Sequence, residues 1–457
     1  MKPLKYNLYS LLKLAIPLVL TGTMQSSVFF FQTLFLAHLG QDSLAAGALV
    51  VWVFGTVYVI LFGILSSINV LISHRHGAND EKGISLVVRD GVWLAILLTL
   101  PAFLLFWNLS PLLAMTGQSP AILSLATSYL HAMAWGLFPS FIVLAVLEVM
   151  IGLGRGRHIL IFNLILVCLN TFFNFVFIFG KLGFPKLGIA GAGWGMTTSN
   201  LITAILISTT VFLMKDYRIY FRQILTRTQQ SYLFELLRTG VPMGAMYCVE
   251  VAFFLTVMLL MGAFSSQFLA ANQITMQYVG LFISVVFSTA QAITVRMGHL
   301  LGAGDVDSAR QTCTIGICLS VGFMLIIAIM YCVYPTNLLS IDVNVDDPMN
   351  TSLVYHAKQF MMIAAIFQIF EAIRISFFGA LRALKDTHFT LLISIVCFWG
   401  IALPVGYVLA TRFYLEGAGL WWGMALSAVV GVVLLYYRFN TKIKNYQCVS
   451  LIAGKIE

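Results

Sequence analysis

Three ionisable side chains sit in stretches where water is scarce. Glu250 lies in the middle of LLRTGVPMGAMYCVEVAFFLTVMLLMGAFSSQFLAA (236–271), an apolar run of membrane length, and Glu371 and Arg374 lie in QIFEAIRISFFGALRALKDT (368–387). A charged side chain at the bilayer centre costs about 2.5–3.5 kcal/mol on insertion scales, so one that is kept there marks an ion site, a proton relay or a buried pair. Glu250 follows Arg238 by twelve residues, about 18 Å of helical rise, and Glu371 precedes Arg382 by eleven, about 16 Å. Two acids at one depth can share a proton or a sodium ion, because like charges a few Å apart resist ionising together. The expectation is that at least one is protonated in one state of a working cycle. Arg374 shares a helix face with Glu371, and Gln368, Glu371 and Arg374 form an i, i+3, i+6 ladder. The arginine favours an ionised Glu371 and competes with sodium for it. A coupling role and a buried charge pair tying two helices together are both open. If Arg374 neutralises Glu371, Glu250 is the better proton carrier.

Further polar groups recur at helical spacing. Gln25 and Gln32 are seven residues apart, on one face of the first apolar run, and Asn163, Asn170 and Asn174 mark one face of another. Amides carry no proton at neutral pH, but they hydrogen-bond a substrate or a neighbouring helix. Gln25, Gln32, Asn174, Tyr247, Gln277, Tyr278, Phe367 and Gln368 are the expected lining of a substrate cleft, with Asn272 and Gln273 near an outer end. The 36 Phe and 19 Met could supply an adaptable apolar wall. Glu148 precedes Arg155 by seven residues and is expected to salt-bridge Arg155 or Arg157 at a mouth. Asp342, Asp346 and Asp347 read as a solvated loop, and His74, His76 and His299 as surface residues. Seven scattered cysteines read as small buried hydrophobes. No nucleophile or metal cluster appears, which argues against a membrane enzyme.

The elements holding these residues follow from composition. The chain is 60% hydrophobic and 9% charged, with mean hydropathy +0.94. A soluble domain carries about 25% charged residues. The reading is an all-α integral membrane protein with twelve spans near 11–38, 46–73, 91–114, 123–150, 159–180, 190–214, 239–263, 270–296, 311–334, 354–381, 388–411 and 417–437. The first run is span-length after Lys2, Lys5 and Lys13 and does not read as a cleavable leader. Short alternating segments of a transmembrane barrel are missing. The net charge of +9 is not a nucleic-acid footprint, because the cations sort by loop: 21 of 26 Lys and Arg fall on one side if the N-terminus is cytoplasmic. Both termini are then cytoplasmic.

The chain also repeats itself. Leu11-Leu12-Lys13 returns as Leu236-Leu237-Arg238, Leu44-Ala45-Ala46 as Leu269-Ala270-Ala271, and Gly77-Ala78-Asn79-Asp80 as Gly302-Ala303-Gly304-Asp305, at one offset that sets Glu250 opposite Gln25. At nearly that offset Arg155 returns as Arg382, and Trp194-Gly195-Met196 as Trp422-Gly423-Met424. Six spans per copy make parallel repeats, two six-helix bundles related by a pseudo-two-fold along the membrane normal, with a site at their interface. The expected division is 1–214, a cytoplasmic linker 215–235, 236–437 and a cytoplasmic tail 438–457.

These residues resemble the multidrug and toxic compound extrusion (MATE) family, its NorM-like branch above all. The resemblance rests on Pro17–Ala46, LNTFFNFVFIFGKLGFPKLGIAGAG (169–193), GAGD (302–305) and the 368–387 run. It implies cation-driven export of small amphiphilic molecules by a monomer in the inner membrane, with no cofactor beyond a coupling H+ or Na+. Glu250 matches the family's cation-linked acid in the seventh helix, and Glu371 an acid of the tenth. Gln32 stands where many bacterial members carry an aspartate, and Phe367 where NorM-like members often carry a tyrosine. Coupling is therefore expected in the C-terminal lobe, with Na+, if used, at Glu250 and Glu371. A flippase for lipid-linked glycans, from the wider superfamily, is the rival reading. A single arginine within a span disfavours its anionic diphosphate substrate.

Overall fold

The computed structural model describes residues 4–115, 117, 119–224 and 230–453, and all regular structure among them is helical. The spans are α1 (Leu4–Ala37), α2 (Gln41–Gly77), α3 (Glu81–Trp107), α4 (Pro120–Ala134 and Leu137–Gly152, bent by 50°), α5 (Gly156–Phe179) and α6 (Ile189–Leu213). The second set is α7 (Leu233–Phe264), α8 (Ser266–Gly302), α9 (Val306–Val333), α10 (Thr351–Ala383), α11 (Thr387–Thr411) and α12 (Glu416–Ala453). Eleven are long and apolar enough singly to cross a bilayer, and the bent α4 makes twelve. This is a multi-pass membrane protein, as its composition predicts. Of the cations that set the expected orientation, Lys2, Arg227 and Lys455 lie outside the described residues.

Backbone geometry carries the repeat. Asn79 and Gly304 both adopt left-handed φ, +54° and +78°. Asp80 and Asp305 follow, each accepting the amide of the third residue on (Gly83 N at 2.8 Å, Ser308 N at 3.0 Å) and so starting α3 and α9. Gly188, just before α6, and Glu416, the first residue of α12, likewise share positive φ. One expected correspondence shifts. The left-handed residues at the α4 and α10 ends are Gly154 and Lys385, each just before the N-cap of the following helix, so Arg155 corresponds to Asp386 and not to Arg382. The third span also ends sooner than its hydropathy suggests. Asn108 closes α3 by donating to the Leu104 carbonyl at 2.8 Å, and a separate helix, Ser110–Ala114, follows with Pro111 in its first turn.

The chain packs as two compact units, Ile16–Gly244 and Met1–Ala15 with Ala245–Glu457. The breaks fall inside α1 and α7, the opening helix of each repeat, and not in 215–235. Within the second unit, Asn7 donates to Gln311 at 3.2 Å, Tyr6 lies 5.7 Å from the Arg296 guanidinium, and Leu11 is fully buried. Within the first, Gly244 lets the start of α7 close on α2: a Cβ there would meet the Ile60 carbonyl at 2.6 Å. The stretch expected as a cytoplasmic linker is bound to α3. Arg89 donates to the Gln230 carbonyl at 2.8 Å, Asp90 accepts from Ser231 Oγ and Tyr232 N at 3.0 and 2.5 Å, and Ser85 donates to the Tyr220 carbonyl at 2.9 Å. Residues 225–229 of that stretch are outside the described residues.

Candidate functional site

Glu250, Glu371 and Arg374 meet inside the second unit, at 7%, 4% and 1% exposure. α7 brings Glu250 and α10 brings the other two. Arg374 forks onto Glu371: Nε donates to Oε2 at 2.7 Å, and Nη2 donates to Oε1. Its reach to Glu250 is longer, Nη1 and Nη2 both donating to Oε1 at 3.2 Å. Ser394 Oγ of α11 adds a third donor to the same oxygen at 3.4 Å. Among the described residues no hydrogen bond reaches Glu250 Oε2. That oxygen is the open acceptor of the cluster.

The surroundings fix the arginine. Its guanidinium lies 4.5 Å from the Phe378 ring and 4.7 Å from the Phe398 ring, an aromatic clasp that suits a delocalised cation. Phe398 reaches it because Ile395–Ala402 of α11 winds as a π-helix. The wider turn points Cys397 and Phe398 inward while Val396 and Trp399 remain exposed. Such turns are rare and recur at functional positions. Gly431 on α12 leaves room for the arginine stem: a Cβ there would stand 3.0 Å from Cys397 Sγ and 3.3 Å from Arg374 Cδ.

Two carboxylates around one guanidinium sum to one negative charge if both ionise. An uncompensated charge at this depth is costly, and a proton or a monovalent cation cancels it. The donor set is all carboxylate and hydroxyl oxygen, a hard-ligand set. Among the described residues no group of three or more His, Cys, Asp or Glu could hold a metal ion.

The other expected residues are spread apart. Phe367 and Gln368 lie in the core of the second unit at 1% and 0% exposure, and both ends of the Gln368 amide are without a hydrogen-bond partner among the described residues. Phe367 packs 6.1 Å from Trp421. Tyr247 takes a hydrogen bond from Arg382 Nη2 at 3.2 Å, and its ring lies 5.4 Å from that guanidinium. Tyr278 is buried against the Leu338 carbonyl (2.8 Å) and Asp342 Oδ2 (2.6 Å), so Asp342 is engaged and not merely solvated. Gln277 next to it is exposed. In the first unit Gln32 donates to the Tyr129 hydroxyl, Gln25 to Asn163 Oδ1 at 3.0 Å, and Asn174 to Asn170 Oδ1 at 2.8 Å. Asn170 passes on to Ser199 at 3.3 Å. Glu148 departs from expectation: it is fully buried and accepts from Ser66 and Asn69, while Arg155 pairs with Asp216 at 3.4 Å. Sequence reasoning missed Ser394, Phe378, Phe398 and Tyr129. Only the aromatic-rich 395–402 run hinted at the clasp.

Twelve apolar spans in a duplicated order, with a charge cluster buried inside one repeat, define the class of polytopic membrane transporters built from parallel repeats. The MatE family model matches residues 17–176 and 242–408, one stretch in each repeat. The chain belongs to the MatE family. It is 31% identical over 440 residues to the Probable multidrug resistance protein NorM of Pseudomonas putida, covering 96% of this chain and 95% of that one. It is 31% identical over 433 residues to the Multidrug resistance protein NorM of Burkholderia vietnamiensis, covering 94% and 93%. An outward-facing multidrug resistance MATE transporter shares the fold at TM-score 0.86 and 17% identity, covering 98% and 99%. The eukaryotic MATE transporter AtDTX14 shares it at TM-score 0.83 and 16% identity, covering 98% and 99%.

Proposed function

We propose that this protein is a secondary active antiporter that exports small amphiphilic compounds, organic cations among them, in exchange for H+ or Na+. It is a transporter and not an enzyme. The observation that carries the reading is the Glu250–Arg374–Glu371 cluster, because its charge balance changes with the occupancy of one acid. Arg374 holds Glu371 as a permanent partner. Glu250, held through Oε1 alone, takes the coupling ion at Oε2. A bound cation leaves the cluster neutral, and its release leaves a buried negative charge that the protein relieves by changing conformation. Such a bias requires that the ion bind the two conformations with different affinity. Gln25, Gln32, Asn174 and Gln277 offer neutral hydrogen-bonding groups to substrate. The protein works as a monomer in the cytoplasmic membrane, with both termini on the cytoplasmic side.

Efflux of fluorescent organic cations from proteoliposomes, under a pH gradient alone and a sodium gradient alone, tests the reading. At least one gradient is expected to drive uphill movement of some member of the panel. Failure of both gradients to drive any member contradicts it.

A further inference from the structure

The second unit carries a groove that neither the charge cluster nor the expected cleft residues use. It runs between α9 and α12, has a volume of about 630 Å³, and has Ile373 and Phe377 of α10 as its floor. Two glycines draw its walls apart. Gly316 lets α9 close on α8, where a Cβ would meet Ile293 at 2.4 Å. Gly431 lets α12 close on α10 and α11, where a Cβ would stand 3.3 Å from Arg374 Cδ and 3.0 Å from Cys397 Sγ.

One end of the groove is polar. Arg310, near the start of α9, donates from Nη2 to Asn440 Oδ1 of α12 at 3.2 Å. Beside them Gln447 donates to Asp307 Oδ1 at 3.2 Å. An arginine can only donate, so this bond turns the Asn440 oxygen to Arg310 and leaves the NH2 end over. Among the described residues neither side chain makes another hydrogen bond, and no carboxylate pairs with Arg310. The two therefore offer donors alone, which suits an anion that only accepts. Lys444 follows Asn440 by four residues and shares its helix face. Arg310 and Lys444 against Asp307 leave one net positive charge, the complement of a single phosphodiester.

Behind that mouth the lining turns apolar over the depth a lipid chain needs. Ile317 lies seven residues past Arg310 on α9, and Val433 seven before Asn440 on α12. Each wall thus rises about 10 Å, roughly two-thirds of one leaflet's share of the hydrocarbon core. Val433, Tyr436 and Tyr437 are exposed along it, and Tyr436 packs 6.2 Å from Phe377. Tyrosines at this level are typical of the headgroup boundary.

We propose that this groove binds one anionic phospholipid, with its phosphodiester on Arg310 and the Asn440 NH2 and an acyl chain lying over Ile373 and Phe377. On the proposed orientation the mouth opens to the cytoplasmic leaflet, whose surface is negatively charged. The floor helix α10 also carries Glu371 and Arg374, so lipid in the groove braces the element that holds the charge cluster. The inference goes beyond the transport reading and uses it only to name the leaflet.

Native mass spectrometry of the full-length protein tests it with a readout of binding and not of transport, so either reading can fail without the other. Delipidated protein in mild detergent is titrated with phosphatidylglycerol, with phosphatidylcholine of the same chains, and with inorganic phosphate as competitor. Wild type is expected to retain one phosphatidylglycerol in preference to phosphatidylcholine, and millimolar phosphate is expected not to displace it. Arg310→Gln is expected to weaken that retention about fivefold, the usual effect of one cation at a lipid surface. Asn440→Asp gives Arg310 an ion pair and cancels the charge of the mouth; it is expected to weaken retention similarly and carries the test if Arg310→Gln fails to fold. Val433→Trp fills the groove and is expected to weaken retention with the mouth intact. Arg222→Gln, in the first unit, is expected to leave retention unchanged. Equal retention of the two lipids, displacement by phosphate, or a dimer in place of the lipid-bound monomer overturns the assignment. So does undiminished retention in Arg310→Gln and Asn440→Asp, or an equal loss in Arg222→Gln.

Discussion

Arg374 holds Glu371 through two of its nitrogens, Nε at 2.7 Å and Nη2, in a planar fork onto both carboxylate oxygens. The pair sits one helical turn apart on α10, so the helix itself sets the geometry. Fork-to-fork contact of this kind is the strong form of a charge-assisted bond. The reach to Glu250, 3.2 Å onto a single oxygen, is the weak side of the same guanidinium. On the proposed function, this asymmetry gives one acid to the arginine and leaves the other to the ion.

Removing the arginine leaves two buried carboxylates facing each other. Arg374→Gln is expected to destabilise the protein by about 3–5 kcal/mol, the usual cost of breaking a buried pair from one side. Arg374→Gln with Glu371→Gln removes both partners and is expected to cost less than the single change. Thermal and chemical unfolding in detergent measure both, and a larger loss in the double variant counts against the pairing described.

The π-helical stretch of α11 turns Phe398 onto the guanidinium. Deleting one residue from 395–402 restores ordinary helical winding and carries Cys397 and Phe398 away from it. Folded, monodisperse protein with lost transport is expected, and Phe398→Leu is expected to fall between that deletion and wild type. Transport by the deletion at the wild-type rate removes the π-helix from the site.

The repeated loops before α3 and α9 predict a matched set of changes. Gly304 sits at φ +78°, where a side chain costs about 1 kcal/mol or more, so Gly304→Ala destabilises. Asn79→Gly relieves a left-handed asparagine at φ +54° and is expected to change stability by a few tenths of a kcal/mol at most. Asp80→Ala and Asp305→Ala each remove a helix cap and are expected to cost about 1 kcal/mol. Unfolding midpoints of the four variants check the pattern.

Outside the spans, burial pushes the Tyr217 hydroxyl up to about 12, in the short helix Lys215–Phe221. A raised value means the folded state holds its proton longer than the unfolded chain. The contribution is therefore complete below the ordinary tyrosine value of about 10 and is lost as pH rises from there toward 12. Tyr217→Phe is expected to flatten stability over that alkaline window, and an unchanged pH profile would remove Tyr217 as its source.

Much of this was legible in the sequence because charge in an apolar run cannot hide. Glu250, Glu371 and Arg374 stood out by type, and helical rise put the two acids at one depth before any coordinates did. Their division of labour was not legible, since spacing along a helix says nothing of which rotamer forks onto which acid. Phe398 was missed because a π-helical turn changes which residues face inward, and a period of 3.6 cannot express it. Ser394, on the ordinary helical turn before it, carries no charge to mark it in an apolar run. Gln368 and Phe367 fell on the face of Glu371 as periodicity required, yet that face is packed within the helix bundle. Glu148 was misread through its seven-residue spacing to Arg155. Gly154, at φ +73°, turns the chain between them, and Arg155 goes to Asp216. The units divide inside α1 and α7, where packing and not the composition of a linker sets the boundary.

The most direct test of the central claim is transport by Glu250→Gln in proteoliposomes, compared in two modes. Without an ion gradient, equilibrative substrate exchange is expected to persist within about threefold of wild type, because the permanently neutral glutamine leaves the Arg374–Glu371 pair in place. With a pH or sodium gradient imposed, uphill export is expected to be lost. Uphill export at the wild-type level under either gradient would show that Glu250 does not carry the coupling ion.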